Sequence, residues 1–374
     1  MGNRECCRSN DERTALPSRL SELPELGRYN ASPAGLIGEA SVFIRPLFLA
    51  VAMALGWSGI AAAEDLRFFQ IGTGPTGEIR FPIGGLIANA LSNPPGSREC
   101  ERGGSCGVPG LVAVAKSTGG SVANVDAIQA RRLDAALVHA DIAFWANHGT
   151  GPYKNKAVPN LRGIAMLYPE SLHLVARKDA NIRTVRDLKG KRVSFGEVNS
   201  ATATHGQIIL SAYGLTERQI KLSPLKPAAA AEALTVNKLD AFLVVDGQPL
   251  PAITELARTL PITVIPIDGS EADRIRAQYP FLTAGTIAAE TYDGIPEAVK
   301  TLDVGVALMA PAEVDQDLIY GVTRALWHSS TQTLLLRGNP RGKLIHLDSA
   351  ALARMGIPLH AGASQFYADA GMKQ

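Results

Sequence analysis

The sequence predicts an α/β protein, and three observations carry that prediction. Apolar runs of strand length alternate with segments of helical period, and polar loops rich in Gly, Ser and Thr follow several of those runs. The chain has 374 residues, 46% of them hydrophobic and 19% charged, which describes an ordinary folded protein large enough for two lobes.

In order, strands are expected at 66–71, 111–115, 135–139, 161–167, 172–177, 192–195, 241–245 and 262–267. Helices are expected at 82–91, 123–132, 142–148, 184–189, 201–213, 228–236, 249–259 and 313–328. Alternation at this spacing argues for largely parallel sheets with helices on their faces. Such sheets take ligands outside the carboxyl ends of their strands, so the loops there are the candidate site.

Ahead of these elements, 42–63 has Arg45 at its head, a long apolar run, and Ala61-Ala62-Ala63 before Glu64. This is the pattern of an export signal cleaved after Ala63, which implies a periplasmic protein. A membrane anchor is the alternative, but the clean apolar stretch 46–60 is shorter than the roughly 20 residues a spanning helix needs. Residues 1–40, which carry Cys6 and Cys7, form a longer head than signals usually have. Removing 1–63 takes away six basic and six acidic residues and leaves the net charge at +2, with no long basic run. Nothing in that balance draws the protein to nucleic acid.

The mature chain keeps two cysteines, Cys100 and Cys106, in a Gly- and Ser-rich loop, and in an oxidising compartment they are expected to form a disulfide. No histidine lies near them in sequence, so zinc is not expected there. The seven histidines are scattered without a metal-like pair, and no metal or cofactor is expected elsewhere. No G-x-S-x-G elbow is present, and no catalytic group is assigned.

The first post-strand loop, Gly72-Thr73-Gly74-Pro75-Thr76-Gly77, matches G-x-G-x-x-G letter for letter. Export, Pro82 in the helix that follows, and the acidic position falling in the cysteine loop all speak against a dinucleotide. The same residues can form a carboxylate cradle from Thr73, Gly74, Thr76 and Gly77, or simply a tight turn. In the second loop, Ser121 is an N-cap candidate and Asn124 follows it into the helix. In the third, Asp141 is a cap candidate and Trp145 is either a cleft wall or core.

Beyond single loops, FQIGTGPTGEIRFPIGGLIANALSNPPGSRECERGGSCGVPGLVAVAKSTGGSVANVDAI resembles the opening of the TAXI family, the solute-binding subunits of TRAP transporters. The likeness continues through DAALVHADIAFWANHGTGPY, the 161–215 segment, LDAFLVVDGQPLPAITELA and IPLHAGASQFYADAG, over essentially the whole mature chain. The resemblance implies a two-lobed binding protein of the type II periplasmic class with a ligand cleft between lobes. On it, lobe 1 spans 64–173 and returns at 289–374, with lobe 2, 174–288, inserted. It also implies that the protein hands a small organic acid or amino acid to an integral-membrane TRAP permease; a monomer is expected. Ser200 and Thr202 fit the family's second-lobe polar loop, where Val-Asn-Ser-Ala-Thr replaces the common Pro-Gly-Ser-Gly-Thr, and Asp246 and Gln248 fall in a loop facing the same way. Arg80 and Phe81 stand where the family usually has two tyrosines. Arg80 either grips a second carboxylate, which would favour a glutamate- or dicarboxylate-like solute, or points to solvent from the helix start. A ligand-binding subunit of a sensor system and an α/β enzyme remain the alternatives.

Overall fold

A computed structural model describes residues 66–372; the export signal, its cleavage site and Cys6 and Cys7 lie outside the described residues. The strands are β1 (Arg67–Gly72), β2 (Ser92–Asn93), β3 (Val108–Pro109), β4 (Leu111–Lys116), β5 (Ala135–His139), β6 (Leu161–Arg177), β7 (Arg192–Ser194), β8 (Lys221–Leu222), β9 (Ala241–Asp246), β10 (Ile262–Ile265), β11 (Leu282–Ile287) and β12 (Val299–Pro311). The helices are α1 (Arg80–Leu91), α2 (Ser121–Gln129), α3 (Ala140–His148), α4 (Ala201–Ala212), α5 (Pro227–Thr235), α6 (Pro251–Thr259), α7 (Gly269–Gln278), α8 (Gln316–Leu326), α9 (Ser329–Gly338), α10 (Ser349–Ala353) and α11 (Ala361–Asp369). The α/β class is as expected.

The central sheet runs β4-β1-β5-β12-β6-β9-β7-β8, with β10 added to β6 and β11 to β12. It is mixed rather than largely parallel. Strands β4, β1 and β5 are mutually parallel, as are β9, β7 and β8, but the two sets are separated by the long antiparallel pair β12 and β6. The two strands expected at 161–167 and 172–177 are one, because β6 continues through Pro169, Glu170 and Ser171. Its first half pairs with β12 and its second half with β9 and β10, so Glu170 sits where the sheet changes partners, opposite Val304.

Strands β5 and β9, read AALVH and AFLVVD, are buried at every position, as apolar strands covered by helices on both faces should be. Helix α8 buries a stripe of Leu318, Ile319, Val322, Ala325 and Leu326, and its start is capped by the Asp315 carboxylate accepting from the Leu318 N–H at 2.8 Å. Pro82 does not interrupt α1, which begins at Arg80 and holds the proline in its first turn, where no intrahelical N–H is lost. The 184–189 segment forms a single 3-10 turn, Val185–Leu188, with a Thr184–Asp187 capping box.

Cys100 and Cys106 are joined in a disulfide with their Cα atoms 4.7 Å apart. A histidine does lie nearby in space: His328 Nε2 is 4.0 Å from Cys100 Sγ, brought there from the far end of the chain.

Candidate functional site

The carboxyl ends of both parallel sets face one buried polar cluster. The chain leaves β1 at Thr73 and Gly74, leaves β4 toward Ser121, ends β5 at His139, and ends β9 at Asp246. Thr73, Arg80, Ser121, Asn124, His139, Glu170 and Asp246 are all buried. Charges so placed must be paired or cost several kcal/mol each, on the order of 3–5 for one stripped of its partner.

Arg80 is the centre. Its Nη1 donates to Ser121 Oγ at 2.9 Å, its Nη2 donates to Glu78 Oε2, and its Nε lies 3.9 Å from Glu170 Oε1. The side chain therefore points inward and not to solvent. Burial opposes its charge, but Glu170, Glu78 and Asp246 outweigh burial and raise its pKa. Glu170 also takes His139 Nε2 on its second oxygen at 2.6 Å. Burial pushes the Glu170 carboxyl up, Arg80 and His139 pull it down further, and the net shift is downward. Asp246 goes the other way: burial first, then Glu170 and Glu78, raise its pKa well above its ordinary value, against the opposing pull of Arg80 and the Gly247 N–H. Several buried polar atoms here have no hydrogen-bond partner, namely Arg80 Nε, Glu170 Oε1, Tyr168 OH, His139 Nδ1 and Asp246 Oδ2. Orphaned buried groups of this kind carry a free-energy cost and concentrate at functional sites.

The framework around Arg80 is rigidly tied. Asn124 Nδ2 donates to the carbonyls of Thr73 at 2.6 Å and Leu137 at 2.8 Å, which pins the β1–α1 loop to β5. Thr73 Oγ1 donates to Lys116 O at 2.8 Å. Ser121 is not the cap of α2; that position is Gly120, and the Ser121 hydroxyl instead accepts from Arg80 and from the His139 N–H at 3.1 Å. Asp141 is not a cap either. The N-cap of α3 is His139, and Asp141, the second residue of the helix, lies 2.5 Å from His205 Nε2 of α4 without hydrogen-bond alignment. Burial opposes the Asp141 charge, and His205 more than reverses it, lowering its pKa.

From the other parallel set, Gly247 brings its loop so close that a Cβ there would stand 3.1 Å from Ile79 Cδ1 and from Arg341 Nε. Buried Arg341 donates to Gln248 O from Nε at 3.0 Å and from Nη2 at 2.5 Å, tying the C-terminal segment to the β9 loop. The Gln248 side chain turns away, donating to Thr286 O at 2.8 Å and accepting from the Ala288 N–H at 3.1 Å.

Other candidates stand apart from the cluster. Thr76 and Gly77 are in an exposed turn and Phe81 is half-buried on α1. Ser200 caps α4 by accepting from the Ala203 N–H at 3.1 Å, and Thr202 in the first turn of that helix stands where a Cβ on Gly196 would come within 3.1 Å of it. Trp145 is buried, packs edge-on against Phe281 with ring centroids 5.4 Å apart, and lines a separate cavity of about 510 Å³ with Phe144, Thr204 and Tyr279. Glu170, Arg341, Tyr168 and His139 are not among the site residues the sequence points to.

Among solved structures the chain is similar to the alkanesulfonate-binding protein SsuA from Xanthomonas axonopodis pv. citri bound to MOPS, at 16% identity over 81% of this chain and 84% of that one, TM-score 0.44. It is also similar to the periplasmic aliphatic sulphonate binding protein SsuA from Escherichia coli, at 15% identity over 82% and 89%, TM-score 0.42. A family model matches residues 71–371, from β1 past the last helix, and the chain belongs to the NMT1-like family.

Proposed function

We propose that the protein is an exported solute-binding protein of a membrane transport system, which captures a small organic acid or amino acid and is not an enzyme. The observation that carries this reading is the convergence of two sets of parallel-strand ends on one buried cluster, Arg80, Glu170, His139 and Asp246, at the point where β6 and β12 pass between the sets. On this reading the chain has two lobes, the first holding β4, β1 and β5 with the C-terminal segment and the second holding β7 to β10. Solute sits between them at Arg80, and the hinge lies in β6 and β12 near Glu170. Hinge closure traps ligand, and the closed shape is what a permease distinguishes from the empty one. The TAXI resemblance favours a TRAP permease driven by an ion gradient and a periplasmic receptor, which is expected to be a monomer.

The test is thermal denaturation of the purified protein against amino acids, mono- and dicarboxylates, sugars and nucleotides, with calorimetry on every hit. A solute that binds only the folded state at 100 times its Kd stabilises it by about 2.7 kcal/mol. An acidic solute or amino acid is expected to do so. Stabilisation by a nicotinamide nucleotide alone, or by nothing in the panel, contradicts the reading. Uptake of that solute into membrane vesicles, with ion gradient and ATP supplied separately, decides the permease class.

A further inference from the structure

The acids around Arg80 are not equivalent. Glu170 is wholly buried in β6, shared with His139 and fixed by the sheet. Asp246 is buried at the end of β9 and binds its own loop through the Gly247 N–H at 2.7 Å. Glu78 alone is held by a loop, the Gly74-Pro75-Thr76-Gly77 turn whose residues 75–77 are exposed, and its side chain keeps 21% of its accessible surface. It nonetheless provides the only carboxylate oxygen in hydrogen-bond contact with the guanidinium among the described residues. It reaches that position by folding over Gly74, where a Cβ would stand 2.6 Å from Glu78 Oε2 and 3.3 Å from Arg80 Nε, so the glycine is what lets the carboxylate lie against the arginine.

We infer that Glu78 is an internal stand-in for a ligand carboxylate, occupying the Nη2 edge of Arg80 from the solvent side, and that an acidic solute binds by displacing it. The inference rests on the solute-binding reading. Exchange of Glu78 for a solute carboxylate keeps the charge around Arg80 constant, so the buried cluster never bears an unpaired cation during the exchange. Glu78 thereby sets specificity: a solute must offer a carboxylate good enough to compete with one already tethered at high effective concentration. Glu170 cannot take this part, because leaving Arg80 would strip His139 as well.

The experiment is calorimetric titration of succinate, a simple dicarboxylate, into wild-type, Glu78→Gln and Glu78→Ala proteins at pH 7.5. Glu78→Gln keeps the shape and removes the competing charge, and it is expected to bind succinate at least about ten-fold more tightly than wild type; Glu78→Ala serves as the deciding variant if the glutamine protein does not fold. Equal or weaker binding by the variant than by a wild type that binds succinate overturns the inference and leaves solute binding intact. No response to succinate from any of the three also overturns it. In that case the solute-binding reading survives if another solute of the panel binds wild type, and falls if none does.

Discussion

Replacing Arg80 by alanine removes the cation that Glu170, Glu78 and Asp246 share. Arg80 is 4% exposed and Glu170 0%, so water replaces little of what is lost. Stripping a buried charge of its partner costs about 3–5 kcal/mol. At about 2 °C per kcal/mol for a chain of this size, the midpoint should fall by about 6–10 °C. The loss should also depend on pH in a definite sense. In the wild type the Glu170 pKa lies below its ordinary 4.5, so its stabilising contribution is present above that value and is lost as pH falls through the folded value. In the variant the balance at Glu170 moves toward burial, its folded pKa rises, and the carboxylate becomes a liability at neutral pH that protonation relieves. The gap between the two proteins should therefore narrow from pH 7.5 to pH 5. Urea denaturation followed by circular dichroism at both pH values measures it. A loss below about 1 kcal/mol at pH 7.5, as an exposed pair would give, or a gap that does not change with pH, would refute the electrostatic reasoning.

Two further predictions concern the support of the site. Tyr292 accepts from the Leu250 N–H at 3.0 Å and donates to His173 Nε2 at 3.0 Å, and His173, lowered by burial to about 4, is neutral at pH 7 and able to accept. Tyr292→Phe leaves both groups buried and unmatched, so urea denaturation should show a loss of about 1–3 kcal/mol; a change within error would mean that the hydroxyl does not hold the β9 loop. A Cβ at Gly362 would stand 2.1 Å from Gln316 O and 2.6 Å from Tyr320 N, where α11 crosses α8 backbone to backbone. Gly362→Ala should therefore lower stability by about 1–3 kcal/mol through overpacking, and a neutral result by thermal denaturation would show that the two helices part easily.

Much of the scaffold was legible because buried parallel strands announce themselves locally. The 135–139 run matches β5 at both ends, and β9 departs from its expected range by one residue, since both are short apolar runs bounded by polar turns. Pro169-Glu170-Ser171 interrupts the apolar pattern of β6 and so suggests two strands, yet the backbone continues and puts Glu170 into the sheet opposite Val304, just beyond the register shift of β12 between Val306 and Ala307. Strand β12 itself opens with Lys300 and Asp303 among its first residues and carries Gly305, which hid it. The loops around the cluster stand out through their Gly, Ser and Thr content, and Arg80 and Asp246 with them, but Glu170 and His139, which complete its charge balance, do not. His139 meets Glu170 31 residues away, and Arg341 meets Gln248 93 residues away. Pairings of that range are fixed by topology, and no local pattern encodes them. The one signal available was a carboxylate set between two apolar runs in phase, which in a buried strand requires a partner.

Solute binding at Arg80 is tested by following the Arg80 Nε–H resonance by NMR, assigned through its disappearance in Arg80→Lys, while titrating the solute that the thermal screen identifies. With the solute held at Arg80, this resonance shifts and saturates with the Kd measured by calorimetry. A resonance that stays in place while the Trp145 indole signal moves would put the solute in the Phe144–Trp145–Tyr279 cavity instead, and would contradict the assignment of the Arg80 cluster as the binding site.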